Sequence, residues 1–187
     1  MKYIFDLDDT LVKNSDIPYH AITQLLKELP HRTTEEDLST KRFYDRMKER
    51  YRHHHLMKTR EYMEKGLIQL APGVEKFLDE TDSFTAGLTN APHSSTSYKL
   101  EELGLDGFLD PVLTPEDVKK KPSPEGIQKI IQSSGLPKES FVFVGDSLKD
   151  LIAGKRAGVR TVLITSEWKR FFADESYSSF QQFLKHH

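Results

Sequence analysis

Short runs of consecutive apolar residues punctuate this chain, and the stretches between them repeat apolar positions at helical spacing. Residues 2–7 carry Tyr3, Ile4 and Phe5 in a row, FVFV fills 141–144 and TVLI fills 161–164. Continuous apolar runs of this length predict strands buried on both faces. Residues 84–88 give a weaker signal of the same kind, and 111–113 a weaker one still. Between these strands Val74, Phe77 and Leu78 share one helical face after Pro72-Gly73. Residues 98–103 carry Leu100 and Leu103 and stop at Gly104, a helix-ending glycine. Ser123 and Pro124 suit an N-cap and first helical position, followed by Ile127, Ile130 and Ile131 on the buried face and by Gly135. A last helix spans 148–157 and ends at Gly158. Strands alternating with helices predict right-handed βαβ units, hence a doubly wound α/β fold with a parallel sheet and helices on both faces.

One stretch interrupts the alternation. Residues 17–70 give no strand signal, but 21–29 read as a short helix and 40–65 as a longer helix or a pair. We read 16–70 as a small α-helical cap inserted after the first strand, and 1–15 with 71–187 as the core. Phe43, Tyr44, Tyr51, Leu56, Met57, Tyr62 and Met63 are assigned to the packing face of this segment. Its cations Lys41, Arg42, Arg46, Lys48, Arg50, Arg52, Lys58 and Arg60 surround His53, His54 and His55. Adjacent helical positions point about 100° apart, so the three histidines do not converge on a metal. The plain reading is a solvated helix face, and the functional alternative is one or two cations binding an anionic substrate tail.

Composition narrows the classes. The chain has 187 residues, 36% hydrophobic and 30% charged, with a formal net charge of -2. That length suits one domain, or a core with a small insertion. The balanced charge gives no global bias toward nucleic acid or membrane, and no apolar run is long enough to span a bilayer. There are no cysteines, which removes disulfides and thiol chemistry. Acids arrive almost at once in MKYIFDLDDT, unlike a signal peptide, so the expected compartment is cytoplasmic. Size and mixed charge favour a monomer. Trp168 reads as packing, and His186 and His187 receive no role.

The candidate chemistry sits at strand ends. Asp6, Asp8 and Asp9 crowd the end of the first strand, where open α/β sheets bind ligands. Their repulsion calls for a cation, and an all-oxygen set suits a hard one such as Mg²⁺. Asp146 follows FVFV and, if that strand neighbours the first, shares the same metal. Thr89 and Asn90 place a hydroxyl and an amide at the same rim. Lys119, Lys120 and Lys121 precede a helix start, an anion-favouring end. Carboxylates, a metal, a hydroxyl and a lysine are what phosphoryl transfer requires. Taken singly, each feature has a duller reading: a solvated Asp-rich turn, a helix cap, a charged loop.

The four segments DLDDT, LTNA, KKKPSP and GDSLKD, in this order, resemble the four motifs of the haloacid dehalogenase-like (HAD) hydrolase superfamily. The similarity covers residues 1–15 and about 70–184, and resembles the phosphatase branch with a small helical cap, of the phosphoglycolate phosphatase and nucleotidase kind. The resemblance implies that Asp6 is the nucleophile and Asp8 the general acid and base, its backbone carbonyl also reaching the metal. It implies that Thr10 helps hold the loop, that Thr89 and Asn90 bind the phosphoryl group, and that Lys121 neutralises it. Asp146 would ligate Mg²⁺, and Asp150 would contact the metal's water shell or orient Lys121. A halide leaves without a proton and an alkoxide does not, so Asp8 favours phosphate-ester chemistry over dehalogenation. The expected activity is a Mg²⁺-dependent phosphomonoesterase acting on a small phosphorylated metabolite through an aspartyl-phosphate. The alternatives are a β-phosphoglucomutase-like phosphomutase, and a non-catalytic phosphate-binding or regulatory protein on the same fold.

Overall fold

The structure is a computed structural model describing residues 1–13, 17–28, 40–165 and 168–187. The assigned packing of Trp168, the last residue of the expected 21–29 helix and the expected junction at 15–16 lie outside what is described. In chain order the elements are β1 (Lys2–Phe5), β2 (Val12–Lys13), α1 (Ile17–Lys27), α2 (Lys41–Glu64), β3 (Gln69–Leu70), α3 (Val74–Glu80), β4 (Thr85–Leu88) and α4 (His93–Glu102). They continue as β5 (Val112–Leu113), α5 (Glu125–Ser134), β6 (Phe141–Gly145), α6 (Leu148–Ala157), β7 (Arg160–Ile164), β8 (Glu175–Tyr177) and α7 (Phe180–Leu184).

Six strands form one sheet in the order β5-β4-β1-β6-β7-β8, and every pairing in it is parallel. The fold is the expected doubly wound α/β core. β1 lies between β4 and β6, with Phe5 level with Gly87 on one side and Val144 on the other. This register is what matters for function, because it brings the ends of β1, β4 and β6 to one edge. Chain order reverses around β1, the kind of switch point where such sheets open a crevice.

Apolar layers hold both faces. On one, Phe5, Val144, Val162, Val74 and Phe183 pack together; on the other, Ile4, Phe143, Ile127, Ile130 and Ala153 do. Phe77, Phe180 and Phe183 meet Tyr3 and Phe5 edge-on or tilted at ring separations of 5.5–6.0 Å. Gly126 lets α5 lie directly on β4: a Cβ there would sit 2.4 Å from Leu88 Cδ1. His187, left without a role in the sequence, stacks on Phe183 at 4.4 Å and approaches Glu175 at 3.1 Å, so the chain end closes this layer.

Several boundaries differ from expectation. β2 and β3 form an antiparallel two-stranded pair, placing a short strand at residues 69–70 where no strand signal was read. α4 begins at His93, five residues earlier than its Leu pattern suggests, because Ser95 and Thr96 are buried polar residues on its inner face. The N-cap of α5 is Pro124 rather than Ser123, although Ser123 Oγ still accepts from the Glu125 N–H at 3.3 Å. Thr40 caps α2 through the Phe43 N–H, and residues 41–64 form one helix rather than a pair. Its assigned packing face holds at Tyr62 and Met63, which pack against the core, and is corrected elsewhere. Tyr44 is 66% and Met57 50% exposed, whereas His55 and Thr59 are buried. α2 packs on α1 and against α4, and its innermost groups are polar because the surface it meets on α4 is polar.

Candidate active site

The site forms at the edge where β1, β4 and β6 end. The Asp6 N–H donates to Val144 O at 2.8 Å, continuing the ladder one residue past β1 and fixing the side chain at the rim. The chain then turns sharply. Asp9 adopts φ 64°, a left-handed conformation that Asp tolerates better than most residues. The N–H groups of Leu11 and Val12 return to Leu7 O. This turn sets Asp8 beside Asp6. Thr10 is buried, and its hydroxyl has no hydrogen-bond partner among the described residues.

Lys121 is the centre of the constellation. Its side chain is 3% exposed, and Nζ lies 2.5 Å from Asp6 Oδ1, 2.7 Å from Asp150 Oδ1 and 2.9 Å from Leu88 O. Asn90 clamps the Lys121 backbone from both sides: its Oδ1 accepts from the Lys121 N–H at 2.8 Å and its Nδ2 donates to Lys121 O at 3.0 Å. The Asn90 amide, expected on a phosphoryl group, is thus engaged in holding the lysine. Thr89 Oγ1 lies 3.5 Å from Asp8 Oδ2 and accepts from the Ala91 N–H.

Asp150 owes its position to helix capping. Ser147 is the N-cap of α6 and accepts from the Asp150 N–H, while Asp150 Oδ2 accepts from the Ser147 N–H at 2.9 Å. This reciprocal capping box leaves Oδ1 facing Lys121. Gly145 makes room, since a Cβ there would meet Asp150 Cγ at 2.6 Å.

Charge follows from burial. Burial lifts the Asp6 carboxyl well above the usual range; Lys121 opposes this, and Asp150 and Asp8 add to it. Burial also acts to raise Asp150, but Lys121 and Ser147 outweigh it and hold the carboxyl below its ordinary value. Burial acts to lower Lys121, and its two carboxylate partners outweigh that and raise it, so the ammonium is fixed.

Oxygens of Asp6, Asp146 and Asp150 converge within 4.8 Å of one another. An all-carboxylate set suits a hard divalent cation such as Mg²⁺. The Asp8 side chain is not among these converging groups. Its Oδ1 accepts from the ammonium of Lys99, a side chain 2% exposed on α4.

A cavity of about 400 Å³ joins these groups, lined by Asp6, Asp8, Thr89, Lys121 and Asp146 and, from α2, by Tyr51 and His55. Tyr51, assigned to helix packing in the sequence, is therefore a wall of the site. His55 Nδ1 lies 2.8 Å from Ser95 Oγ on α4. Burial first, then Lys99, lowers the His55 pKa to about 4, so its ring is neutral at pH 7. A second cavity of about 690 Å³ shares Tyr51 and Lys120 with the first. Lys99 and His55, like Tyr51, are residues that sequence reasoning did not place at the site. The available signal was the polar inner face of α4.

The chain is similar to several known proteins. The phosphoglycolate phosphatase of Aquifex aeolicus is 28% identical over 182 residues, covering 86% of this chain and 82% of its own. Pyrophosphatase PpaX of Halalkalibacterium halodurans is 34% identical over 90 residues, 48% of this chain and 42% of its own. The matches to PpaX of H. halodurans and of Bacillus cereus and to phosphoglycolate phosphatase 1 of Pseudomonas aeruginosa span only about two fifths of those proteins' length. A hydrolase from Pseudomonas syringae superposes with a TM-score of 0.77 at 22% identity, covering 99% of this chain and 96% of its own. CbbY from Rhodobacter sphaeroides, solved with phosphate, gives 0.74 at 20% identity, covering 97% and 95%; both likenesses are of fold. The model of the family described as haloacid dehalogenase-like hydrolase matches residues 3–164, and with the motif order and this strand-end constellation it establishes that the chain belongs to the haloacid dehalogenase-like hydrolases.

Proposed function

We propose that the protein is a Mg²⁺-dependent phosphomonoesterase that works through an aspartyl-phosphate. The observation that carries this reading is the buried ammonium of Lys121, set between Asp6 and Asp150 beside the converging carboxylates. In the first step an Asp6 oxygen attacks phosphorus, the bond from phosphorus to the leaving oxygen breaks, and Asp8 gives that oxygen its proton. In the second, Asp8 takes a proton from water, the water oxygen attacks phosphorus, and the bond to Asp6 breaks to release inorganic phosphate. Lys121 and Thr89 would offset the charge that builds on the phosphoryl oxygens, and Asn90 would keep Lys121 in place. Asp6 and Asp146, with the Asp8 backbone carbonyl, would hold Mg²⁺, which as a Lewis acid draws charge from the phosphoryl group. Asp150 would stay with Lys121. Splitting one displacement into two is the advantage of a carboxylate nucleophile.

Residues 16–70 would serve as the cap and residues 1–15 with 71–187 as the core. Tyr51 and His55 support this division, because they bring α2 to the wall of the site. The adjoining cavity gives a leaving group room. The names of the relatives place phosphoglycolate and pyrophosphate on the substrate panel.

The test is release of p-nitrophenol from p-nitrophenyl phosphate with Mg²⁺ and with EDTA. Activity should require the metal and vanish in Asp6→Asn. Normal turnover in that variant would remove Asp6 as nucleophile. Transfer of phosphate within a hexose 1-phosphate, rather than its release, would identify a phosphomutase.

A further inference from the structure

One lysine outside the four motif segments lies on the inside of the molecule. Lys99 sits in the middle of α4 with its residue 1% exposed. Its neighbours on the buried face of that helix are Ser95, Thr96 and Leu100. A buried ammonium costs several kcal/mol in lost hydration unless its surroundings repay it. Leucine or methionine would fill the same volume without that cost. The compensation here is specific, because the ammonium donates to Asp8 Oδ1. Lys99 thereby grips one oxygen of the carboxylate and leaves Oδ2 on the side of Thr89, at 3.5 Å from its hydroxyl. Thr89 lines the cavity at the end where the proposed mechanism puts the phosphoryl group. His55, one of the titratable groups close by, is kept neutral by burial and by Lys99 itself, with a pKa of about 4. Uncharged, it does not compete with Lys99 for Asp8, and Ser95 ties its ring to the same helix.

We propose that Lys99 is a positioning residue for proton transfer: it holds Asp8 by one carboxylate oxygen so that the other faces the bond being made or broken. The inference rests on the acid–base role assigned to Asp8 above. Both of that residue's steps need the same orientation, and a carboxylate free to rotate would lose part of its effectiveness. Lys99 need not touch the substrate to act in this way.

The substrate's leaving group provides a readout that a merely structural role would not move. A p-nitrophenolate leaves without a proton, whereas the alkoxide of an alkyl phosphate needs one. The value of kcat/KM reports the steps up to leaving-group departure. We would measure it for p-nitrophenyl phosphate and for the fastest alkyl phosphate of the panel, in the wild type and in Lys99→Met, Lys99→Arg and Asp8→Asn. Lys99→Met should lower kcat/KM for the alkyl phosphate by about 10²-fold, the lower end of what general acid help supplies, and leave the aryl value little changed. Lys99→Arg should recover part of the loss. Asp8 is 27% exposed at its side chain, so losing its partner does not strand a fully buried charge, and melting curves would check that each variant is folded.

An equal loss on both substrates in Lys99→Met, or no loss on either, while Asp8→Asn discriminates between them, would overturn the role of Lys99 and leave that of Asp8 standing. An Asp8→Asn variant that shows no such discrimination would remove the acid–base assignment itself, and the role of Lys99 with it.

Discussion

Lys121 shows how much one side chain can settle. Its ammonium is the local counter-charge to Asp6 and Asp150, both buried. Lys121→Met should therefore abolish turnover and also destabilise the fold by about 3–5 kcal/mol, the usual cost of breaking a buried pair from one side. Urea denaturation monitored by circular dichroism would measure this. Asp146→Asn should act differently. The residue is only partly buried, so stability should hold while the Mg²⁺ concentration for half-maximal activity rises at least about tenfold, as a metal titration of activity would show. Asp6, Thr89, Lys121 and Asp146 were legible in the sequence because each stands where a strand ends or a helix is about to begin, in four segments whose order resembles that of the family's motifs. Lys99 and His55 were not legible. Each lies inside a helix, where a polar residue ordinarily marks the solvent side, and only the three-dimensional pairing with Asp8 and Ser95 shows otherwise.

At the scale of elements, the seam between α2 and α4 has a built-in sensitivity to acid. His55 titrates at about 4 in the fold, against an ordinary value near 6.5. Between those values the unfolded chain binds a proton that the folded chain does not, so stability falls as pH drops from 6.5 toward 4. The full difference is on the order of 3 kcal/mol. His55→Gln, which retains a polar partner for Ser95 but does not titrate, should flatten this part of the pH profile in denaturation experiments. The contact of α5 with β4 makes a second prediction. Gly126→Ala would drive a methyl into Leu88 and should cost about 1–3 kcal/mol in urea unfolding, as overpacking usually does. The long apolar strands were easy to read because both their faces are buried. β2, β3 and β8 have only two or three residues each and mix polar with apolar positions; their pairing comes from the neighbours they meet. The amphipathic pattern failed for α2 and α4 for a related reason, since these helices bury polar groups against each other.

For the molecule as a whole, metal and fold should be linked. A cation that binds only the folded cluster at one hundred times its dissociation constant adds about 2.7 kcal/mol. Mg²⁺ should therefore raise the melting temperature of the wild type and do much less for Asp146→Asn, which differential scanning fluorimetry would show. No helix among the described residues is long and apolar enough to cross a membrane. The parallel order of the sheet was legible from the alternation of elements, but the placement of β1 between β4 and β6 was not, because it depends on which helices cross which face. The capping box of α6 has one more consequence. Asp150 holds the start of a helix with one oxygen and the charge of Lys121 with the other, so two selective pressures fall on a single codon. In a mutant library sorted only for folded protein, with enzymatic activity given no weight, Asp146 should drift freely while Asp150 remains fixed.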